Sequence, residues 1–407
     1  MEITTDSGNT YSYFSKSNEI VCGSVKENEF EWRFNPLKFF TDMPNVGMFI
    51  ISVTEQCNLR CRYCCYSGSY SGKRIHGFKS ISFDDVDSII EFIDTISAGK
   101  PKRIAFYGGE PILNFKVVRY CVEMCRRKWG PDVSFSISTN GVLLNPLNID
   151  WLIQNDIEIA ISLDGSEDFH DKNRVDTMGN GTFGRIRDSL EYIYQHYENP
   201  NITLHVTLAN VRDLIYVAEG WRRDELLRNI PPTMVHGLTP NFDAGVSKID
   251  YEDVKRFYTS IIDVYQQHPD WLVTKVFLEE AVSVWKERFV FDIDEPIEMS
   301  TCLPVNTKLY IDSSLDVAVC EKFSDKFRIG SISKGIDWDK ANNLVGNYAN
   351  SKRRRCTNCP IVRMCDICLT AVEYTPEQMN ILCHNERVYT RVSLYAFCEM
   401  AERGLIK

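Results

Sequence analysis

Three cysteines in the first quarter of this 407-residue chain have types and spacing that suit metal chemistry. Cys57, Cys61 and Cys64 follow an apolar, strand-like run, and one loop can bring their thiols onto a single face. Four thiolates would complete the coordination of a zinc ion or an iron–sulfur cluster. Three thiolates leave one metal position open, so the pattern predicts a metal centre with room for a further ligand.

The spacing of these cysteines, together with Tyr63, resembles the motif of the radical S-adenosylmethionine (SAM) superfamily. The resemblance implies that Cys57, Cys61 and Cys64 hold a [4Fe-4S] cluster whose open iron binds the amino and carboxylate groups of SAM. One electron from such a cluster cleaves SAM to methionine and a 5′-deoxyadenosyl radical. Cys65 is one residue out of phase with the motif, and we interpret it as a bystander.

The composition of the chain restricts the class of protein to which it can belong. The chain is 44% apolar and 25% charged, as in an ordinary globular protein, and its net charge of −10 argues against nucleic-acid binding. The basic run at 352–355 is interpreted as a solvated loop. The polar N-terminus predicts no signal peptide, and no apolar run approaches the ~20 residues of a membrane span. Fifteen cysteines without an export signal therefore indicate metal ligation in a reducing cytoplasm rather than disulfides.

Strand-like and helix-like segments alternate over the first part of the chain. Repeated βα units predict parallel strands with right-handed crossovers, and their chemistry gathers at the C-terminal ends of the strands. Six units match the partial (β/α)6 barrel of the radical SAM superfamily better than a closed eight-unit barrel. Asp84, Asn114 and Asn148 are predicted helix caps. Strands are predicted at 46–54, 103–107, 133–139, 157–163, 202–208 and 233–238, and helices at 83–96, 115–128, 183–196 and 214–227.

The turns after the second and third predicted strands carry two further motifs. In the Gly-Gly-Glu-Pro run at 108–111, paired glycines let backbone carbonyls approach a ligand amino group closely. Alone this run would indicate only a tight bend, but after the cysteine motif it resembles the family's turn for the SAM amino group. Glu110 is predicted either to hold the loop or to accept a hydrogen bond. The Thr-Asn-Gly run at 139–141 resembles another turn of the family.

The stretch after the fourth strand resembles the sulfatase-maturase and peptide-maturase branch of the superfamily. In that branch a serine and an arginine contact the SAM ribose and carboxylate, which assigns these roles to Ser162 and Arg174. A planar guanidinium suits the task because it can pair with a carboxylate in a bidentate way. His170 and Asp171 are interpreted as holding the loop, and Leu208 as lining either the adenine pocket or the core. The residues predicted to bind SAM are Tyr63, Gly108, Gly109, Glu110, Pro111, Thr139, Asn140, Ser162, Asp164, Arg174 and Leu208.

A second group of cysteines occupies the last quarter of the chain. Two CxxC pairs within 356–368 could form a zinc ribbon with four thiolates, but the other cysteines nearby would then have no role. The whole pattern resembles the SPASM domain, which holds two auxiliary [4Fe-4S] clusters. The last spacing of the block is two residues rather than three, and Leu315 replaces a glycine of the family pattern. The resemblance assigns to auxiliary cluster I Cys302, Cys320 and Cys368, and to auxiliary cluster II Cys356, Cys359, Cys365 and Cys383.

Auxiliary cluster I therefore has three assigned thiols. Cys398 lies in a predicted amphipathic helix over 387–400, and we interpret it as a core residue, with a role as fourth ligand as the alternative. If Cys398 is not a ligand, the open iron of cluster I is a docking point for a substrate thiolate.

Five segments are predicted. Residues 1–45 form a strand-containing extension, which either meets a leader peptide by strand addition or caps the barrel. Its strands are predicted at 10–14, 19–25 and 29–34. The radical SAM barrel (46–240), a helical connector (241–300), the SPASM domain (301–390) and a C-terminal helix (391–407) follow.

The resemblance implies a radical SAM/SPASM maturase that abstracts hydrogen from a ribosomally made precursor peptide and forms a thioether or carbon–carbon crosslink. The alternative is an anaerobic sulfatase-maturating enzyme that makes formylglycine from Cys or Ser. An electron carrier without SAM chemistry would have no need of the Gly-Gly-Glu-Pro turn. The implied partners are the peptide or protein substrate and an electron donor such as flavodoxin or ferredoxin. No nucleic acid or membrane is implied, and no residue is assigned as a catalytic base.

Overall fold

The computed structural model describes most of the chain. The described residues are 1–27, 34, 46–70, 72–97, 103–237, 247–292, 301–302, 305, 308–323 and 325–406. The strand predicted at 29–34 therefore falls outside this part, apart from Phe34. No helix among the described residues is both long and apolar enough to cross a membrane.

A small antiparallel sheet begins the chain. Its strands, in the spatial order of the sequence, are β1 (Glu2–Thr4), β2 (Thr10–Phe14) and β3 (Glu19–Cys22). Tyr13 of β2 meets Trp285 edge to face, with ring centroids 5.3 Å apart, and both are buried with Leu394. The extension thus packs on helices from the second half of the chain, and a leader-peptide contact stays a prediction.

Six parallel strands confirm the predicted alternation of strands and helices. They are β4 (Met48–Thr54), β5 (Arg103–Gly108), β6 (Ser134–Thr139), β7 (Ile157–Ser162), β8 (Ile202–Leu208) and β9 (Met234–Gly237). They lie side by side in chain order, and every neighbouring pair has parallel register. This order produces the mixed α/β architecture predicted from the sequence, because each parallel crossover needs a helix-length connection.

Helices cover the outer face of these strands. They are α1 (Phe83–Ile96), α2 (Phe115–Trp129), α3 (Pro146–Gln154), α4 (Glu167–Asn173), α5 (Phe183–His196) and α6 (Leu214–Arg223). The predicted bounds of α1 and α5 are confirmed, whereas α6 ends at Arg223 rather than at residue 227. Ile51 and Ile137 of the strands share one core with Ile89 and Val118 of the helices. Burial of each such side chain contributes about 1.5–3 kcal/mol.

The three predicted cap residues lie at helix starts, but none of them is an N-cap whose side chain accepts the capping hydrogen bond. Ser82 caps α1 and Asn145 caps α3, and each closes a capping box with a polar residue three positions later. Asp84 is the second residue of α1 and makes no capping bond, whereas Asn148 is the third residue of α3 and closes its capping box. A polar residue at that third position looks like a cap in the sequence. Asn114 precedes α2 without making the capping hydrogen bond. Its side chain instead donates to two carbonyls of neighbouring segments, at 3.0 Å each.

The cysteine-rich part extends the sheet beyond β4. Its strands are β10 (Lys308–Ile311), β11 (Asp316–Ala318), β12 (Arg328–Ser331) and β13 (Gly335–Ile336). Strand β10 pairs in parallel with β4, and β11, β12 and β13 follow in antiparallel order. The C-terminal part is thus joined to the barrel through backbone hydrogen bonds.

Four further helices complete the described fold. They are α7 (Tyr251–Gln267), α8 (Leu272–Lys286), α9 (Trp338–Arg355) and α10 (Pro376–Glu402). The first two lie in the predicted connector. Helix α10 begins at Pro376 rather than at residue 387, so one helix crosses the predicted boundary at 390. The basic run at 352–355 is the last turn of α9 rather than a solvated loop, and Lys352 is buried.

Leu315 stands where the backbone favours glycine. Its φ is +65°, in the tight turn between β10 and β11, where its N–H donates to the Asp312 carbonyl at 2.9 Å. A side chain in this conformation costs about 1–2 kcal/mol. The departure from the SPASM pattern therefore has a cost in backbone strain. In exchange, the Leu315 side chain packs against the main core.

Candidate functional site

The three motif thiols lie in the loop that follows β4. The N–H of Leu59 donates to Sγ of Cys57, and the N–H of Tyr66 donates to Sγ of Cys64, each at 3.4 Å. Such bonds stabilise thiolates and tune iron–sulfur clusters. Burial raises the pKa of Cys57 to about 12 and that of Cys61 to about 11. At neutral pH these groups become thiolates on binding a metal, which removes the proton.

The chemistry of the loop fits a cubane cluster. Among the described residues, no three His, Cys, Asp or Glu side chains converge as the ligands of a single metal ion would. A cubane does not require this convergence, because each thiolate binds a different iron atom. Cys65 contacts Cys64, and this hydrogen bond lowers the pKa of Cys65. The interpretation of Cys65 as a bystander stays a prediction.

The Gly-Gly-Glu-Pro turn packs on the segment that leads into the cysteine loop. The N–H of Gly109 donates to the Thr54 carbonyl, and the N–H of Glu110 donates to the Gln56 carbonyl, both at 2.8 Å. A Cβ atom on Gly108 or Gly109 would overlap these same carbonyl oxygens. The glycines therefore set the close approach between the turn and the cysteine loop.

Glu110 ties two predicted turns together. Its Oε1 accepts from Oγ1 of Thr139 at 2.7 Å and from the N–H of Ile112 at 3.0 Å, and its Oε2 accepts from the N–H of Asn140 at 2.7 Å. Complete burial raises the pKa of Glu110 to about 7, and the three hydrogen bonds oppose this shift. Nδ2 of Asn140 in turn lies 3.8 Å from Sγ of Cys57. Three motifs that are distant in the sequence thus meet at one end of the sheet.

Asp164 orients the arginine that the resemblance assigns to the SAM carboxylate. Its Oδ2 accepts from Nε of Arg174 at 2.8 Å and from the Tyr63 hydroxyl, and its Oδ1 accepts from the N–H of Thr207 at 3.0 Å. Arg174 also lies over the Tyr63 ring, 5.4 Å from its centroid. The ion pair uses the Nε side of the guanidinium, so a bidentate contact with a ligand carboxylate would use another edge.

His170 and Asp171 make the contacts of loop-holding residues. Nδ1 of His170 accepts from the N–H of Asp164 at 3.2 Å, so the ring carries its proton on Nε2. Nε2 lies 3.0 Å from Oγ1 of Thr182, and that hydroxyl donates to the Arg174 carbonyl at 2.9 Å. Asp171 accepts from the N–H of Thr182 at 2.7 Å. These bonds support the interpretation of both residues as structural.

Acid should weaken the fold through His170. Burial lowers the pKa of His170 to about 4, below the value of about 6.5 for an unfolded histidine. The unfolded state then binds more protons between these values, so the free energy of unfolding falls as pH decreases from about 6.5 to about 4, by up to about 3 kcal/mol. His170→Gln should flatten this slope in urea unfolding, whereas His196→Gln, at an exposed position, should leave it unchanged. Equal slopes in the wild type and His170→Gln would contradict the assignment.

Leu208, at the end of β8, was predicted to line either the adenine pocket or the core, and its position favours the core. Its side chain is fully buried in the core shared with the helices, as are Leu204 and Val206. Residues two apart on a strand share a face. Leu208 therefore faces the helices rather than the barrel lumen. Ser162, by contrast, is part-exposed and alternates with buried Ile159 and Ile161 of β7.

Sequence reasoning missed the polar residues of the lumen. The strands alternate apolar residues, which face the helices, with polar ones on the other face. There Nη2 of Arg103 pairs with Glu158 at 2.6 Å, and Nε of Arg103 donates to Ser136 at 3.4 Å. The alternation of polar and apolar residues along these strands could have indicated a polar lumen, because strands buried on both faces are ordinarily apolar throughout.

Two polar atoms on the lumen side of β8 and β9 are buried without a protein hydrogen-bond partner in the described part of the chain. They are Oγ1 of Thr203 and Nδ1 of His236. Burial lowers the pKa of His236 and of its neighbour His205, so both rings are neutral at pH 7. Buried polar atoms are ordinarily paired. His236 lies opposite Thr207, near the C-terminal ends of the strands, so a molecule bound there can supply the partner of its Nδ1.

Four C-terminal thiols surround one cavity. They are the four assigned to auxiliary cluster II, and they line a space of about 50 Å³. Lys352 and Arg387 also line it and supply positive charge beside the thiols. Burial raises the pKa of Cys356 to about 11 and that of Cys365 to about 12, so these groups also become thiolates on metal binding. The donor set fits an iron–sulfur cluster.

One hydrogen bond connects two of the three segments assigned to auxiliary cluster I. The N–H of Leu369 donates to Oγ1 of Thr301 at 3.0 Å, which joins the residue after Cys368 to the residue before Cys302. Burial is the main cause that raises the pKa of Cys320 to about 12, and Cys368 adds to the shift. The assignment of these three thiols to one cluster stays a prediction.

Cys398 lies elsewhere. It is buried with Tyr13, Trp285 and Leu394 beneath the N-terminal sheet. Its contacts are those of a core residue. They favour the core interpretation over a role as fourth ligand of auxiliary cluster I.

Comparison with known proteins identifies the domain that holds the first site. The radical SAM superfamily matches residues 51–213, which contain the cysteine loop, the Gly-Gly-Glu-Pro turn and the Asp164–Arg174 pair. Residues 51–213 form a radical SAM domain. The chain is therefore a radical SAM enzyme, with SAM and a [4Fe-4S] cluster as the cofactors that the family implies.

Relatives extend the likeness beyond this domain. A cysteine-type anaerobic sulfatase-maturating enzyme of Clostridium novyi is 24% identical over 340 residues, which are 79% of this chain and 87% of that protein. The solved structure of native anSMEcpe with bound AdoMet and Cp18Cys peptide covers 88% of this chain and 100% of its own, at 17% identity and a TM-score of 0.64. Streptococcus suis SuiB bound to precursor peptide SuiA covers 81% and 73%, at 14% identity and a TM-score of 0.55. The structural likeness shows a shared fold that includes the cysteine-rich C-terminal part.

Proposed function

We propose that this enzyme is a radical SAM/SPASM maturase that oxidises a side chain of a peptide or protein. The lead reaction is formation of a thioether or carbon–carbon crosslink in a ribosomally made precursor peptide. The proposed cofactors are SAM and three [4Fe-4S] clusters, one on the cysteine loop and two on the C-terminal thiols. When bound, they supply the hydrogen-abstracting 5′-deoxyadenosyl radical and the acceptor for the electron that the substrate then loses.

A groove at the C-terminal ends of the last two barrel strands carries this proposal. It has a volume of about 750 Å³ and lies between the ends of β8 and β9 and helices α7 and α10. Phe257 and Tyr389 give it apolar surface, and Arg212 and Asp253 give it charge, a mixture that suits a peptide. Its volume lies within the roughly 300–1,000 Å³ of ordinary ligand sites, so it can hold the side chain to be modified and its immediate neighbours. Gly237, the last residue of β9, lines the groove, so the groove opens at the C-terminal ends of the strands, where the predicted SAM site also lies.

The wall of the groove is held in place by α10. Oδ1 of Asn385 accepts from the N–H of Ile249 at 3.0 Å, and Nδ2 of Asn385 donates to the Ser247 carbonyl at 3.1 Å. Nε2 of His384 lies 2.9 Å from the Ile249 carbonyl. The helix that supplies Cys383 to the auxiliary site thus also shapes the path of the substrate.

His236 is the residue best placed to accept a proton from the substrate. Oxidation of a side chain removes one hydrogen atom, one proton and one electron, and the proton needs an acceptor. The His236 ring is neutral because burial lowers its pKa, and its Nδ1 has no partner among the described residues. It can therefore hydrogen-bond to a substrate thiol or hydroxyl and take its proton.

Sulfatase maturation is the second candidate function. It is favoured by the Clostridium novyi relative, whose name specifies a cysteine-type sulfatase-maturating enzyme. The SuiB structure, whose partner is named as a precursor peptide, favours the lead reaction. In both cases we propose an electron donor such as flavodoxin or ferredoxin. A cytoplasmic location agrees with fifteen cysteines that are all free of disulfides.

Turnover of synthetic peptides tests the proposal. Peptides with a single cysteine, serine or alanine at one position are incubated with reconstituted enzyme, SAM and dithionite. A crosslinking maturase yields a cysteine product that keeps its sulfur and lacks two hydrogen atoms, whereas a sulfatase maturase yields an aldehyde that reacts with hydrazides. His236→Gln should lower either product about 100-fold or more while peptide-independent SAM cleavage stays near wild type. A peptide product formed by His236→Gln at the wild-type rate would remove the proton-acceptor role, and failure of every peptide to change SAM cleavage would contradict both functions.

A further inference from the structure

A cationic pocket opens at the surface beside the thiols assigned to auxiliary cluster II. It has a volume of about 450 Å³, and none of the described residues that line it is acidic. Its lining consists of Lys248, Arg355, Asn380, Cys383, His384 and Arg387. This composition contrasts with the net charge of −10 of the whole chain. The pocket is therefore a local feature rather than a sample of an overall basic surface.

The pocket and the four-thiol cavity share a wall. Arg355, Cys383 and Arg387 line both spaces. These three residues therefore form a wall, a single layer of side chains thick, between the surface pocket and the place where the cluster would be held. A redox centre under so thin a wall can exchange electrons with a protein that docks on the outside.

Neutralising the charge of a bound cluster does not account for all of this positive charge, because part of it is exposed to water. Lys248, Arg354 and Arg387 are exposed, and water screens exposed charges from a buried site. Nη1 of Arg355 is buried and has no hydrogen-bond partner within the described residues. The last turn of α9 gains from positive charge through the helix dipole, but Lys248 and Arg387 are not part of that helix.

We propose that these residues form a docking face for the acidic surface of an electron-carrier protein. The basic face is defined as the pocket residues Lys248, Arg355, His384 and Arg387, together with exposed Arg354, which precedes Arg355 in the last turn of α9. The proposal rests on the proposed function, because it needs a cluster behind Cys383. A cluster held behind the basic face would accept one electron from the reduced flavin or iron–sulfur centre of the carrier and would pass it on to the cluster of the cysteine loop, where SAM is cleaved. Opposite charges steer such partners together and make their association sensitive to salt.

Binding of a bacterial flavodoxin to the reconstituted holoenzyme tests the inference. The dissociation constant is measured by calorimetry at about 50 mM and about 300 mM salt, a range over which exposed charges become strongly screened. Binding should weaken about tenfold or more with salt. The double variant Lys248→Glu/Arg354→Glu should weaken it by at least a further factor of about ten at low salt. Arg387→Gln, which introduces no negative charge, should give a smaller loss in the same direction.

The matched control is Arg223→Glu/Arg256→Glu, which makes the same change in net charge. Arg223 and Arg256 are 76% and 72% exposed on α6 and α7, each paired with an acid on its own helix. This control should bind flavodoxin within about twofold of wild type if the basic face is the docking site. Equal losses in both double variants would show that net charge alone matters, and would overturn the inference.

Reduction by dithionite separates this inference from the proposed function. Lys248 also borders the proposed substrate groove, so SAM cleavage is compared without peptide. Dithionite needs no docking, so the basic-face double variant should then cleave SAM at the wild-type rate with dithionite and about tenfold more slowly with reduced flavodoxin. Its iron content should equal that of wild type. Absence of salt-sensitive flavodoxin binding in wild type overturns the docking face, as does preferential binding of a DNA duplex. Loss of dithionite-driven cleavage in wild type would instead contradict the proposed function.

Discussion

Replacement of Cys57, Cys61 and Cys64 together by alanine should abolish the release of 5′-deoxyadenosine from SAM. These thiols are the donors of the loop at the end of β4, and burial of Cys57 and Cys61 makes a metal the agent that keeps them ionised. Without all three there is no cluster for SAM to bind. The measurement is chromatographic quantification of 5′-deoxyadenosine after incubation with SAM and dithionite.

Iron content provides the control for that variant. Three cubane clusters predict about twelve irons in the wild type and about eight in the triple variant, because the C-terminal thiols are untouched. Undiminished SAM cleavage by the triple variant would contradict the assignment of the loop. About four irons with bound zinc in the wild type would support the zinc-ribbon alternative for the CxxC pairs instead.

Asp164→Asn should be strongly destabilising and should weaken SAM binding. The substitution keeps the size of the side chain but leaves the Arg174 guanidinium, which is 7% exposed, without its counter-charge. Breaking a buried ion pair at one partner costs about 3–5 kcal/mol. Since the same carboxylate also accepts from the Tyr63 hydroxyl, two residues of the predicted SAM site lose their orientation together. We expect a lower melting temperature of the reconstituted protein and at least about a tenfold higher Kd for SAM by calorimetry.

An exposed ion pair supplies the matched control. Asp270 pairs with Arg222 at 2.6 Å, but both side chains are about half exposed. Asp270→Asn should change the free energy of unfolding by less than about 1 kcal/mol and leave SAM binding unchanged. If Asp164→Asn were as mild as Asp270→Asn, the pair with Arg174 would not hold the site.

The sequence alone determined the features that depend on short stretches of chain. The cysteine spacing, the Gly-Gly-Glu-Pro turn and the alternation of strands and helices are local patterns. In the structure the cysteine loop follows β4 and the turn follows β5, as the sequence predicts. The bounds of α1 and α5 followed from apolar periodicity, because a helix face repeats every three to four residues. The N-cap of α3 was not predicted even locally, since Asn145 and Asn148, the two polar residues of its capping box, look alike in the sequence.

Only the tertiary structure decided which distant residues meet. Glu110 joins two turns through its carboxylate, and Asp164 joins three segments, because parallel crossovers bring all these strand ends to one edge. The same helix, α10, carries Cys383 to the thiol cavity and Cys398 to the core under the N-terminal sheet. Sequence spacing cannot distinguish these two fates, since each depends on what packs against that part of the helix. For the same reason the sequence suggested a solvated loop for the basic run at 352–355, whereas the packing of α9 and α10 places Lys352 and Arg355 beside the thiol-lined cavity.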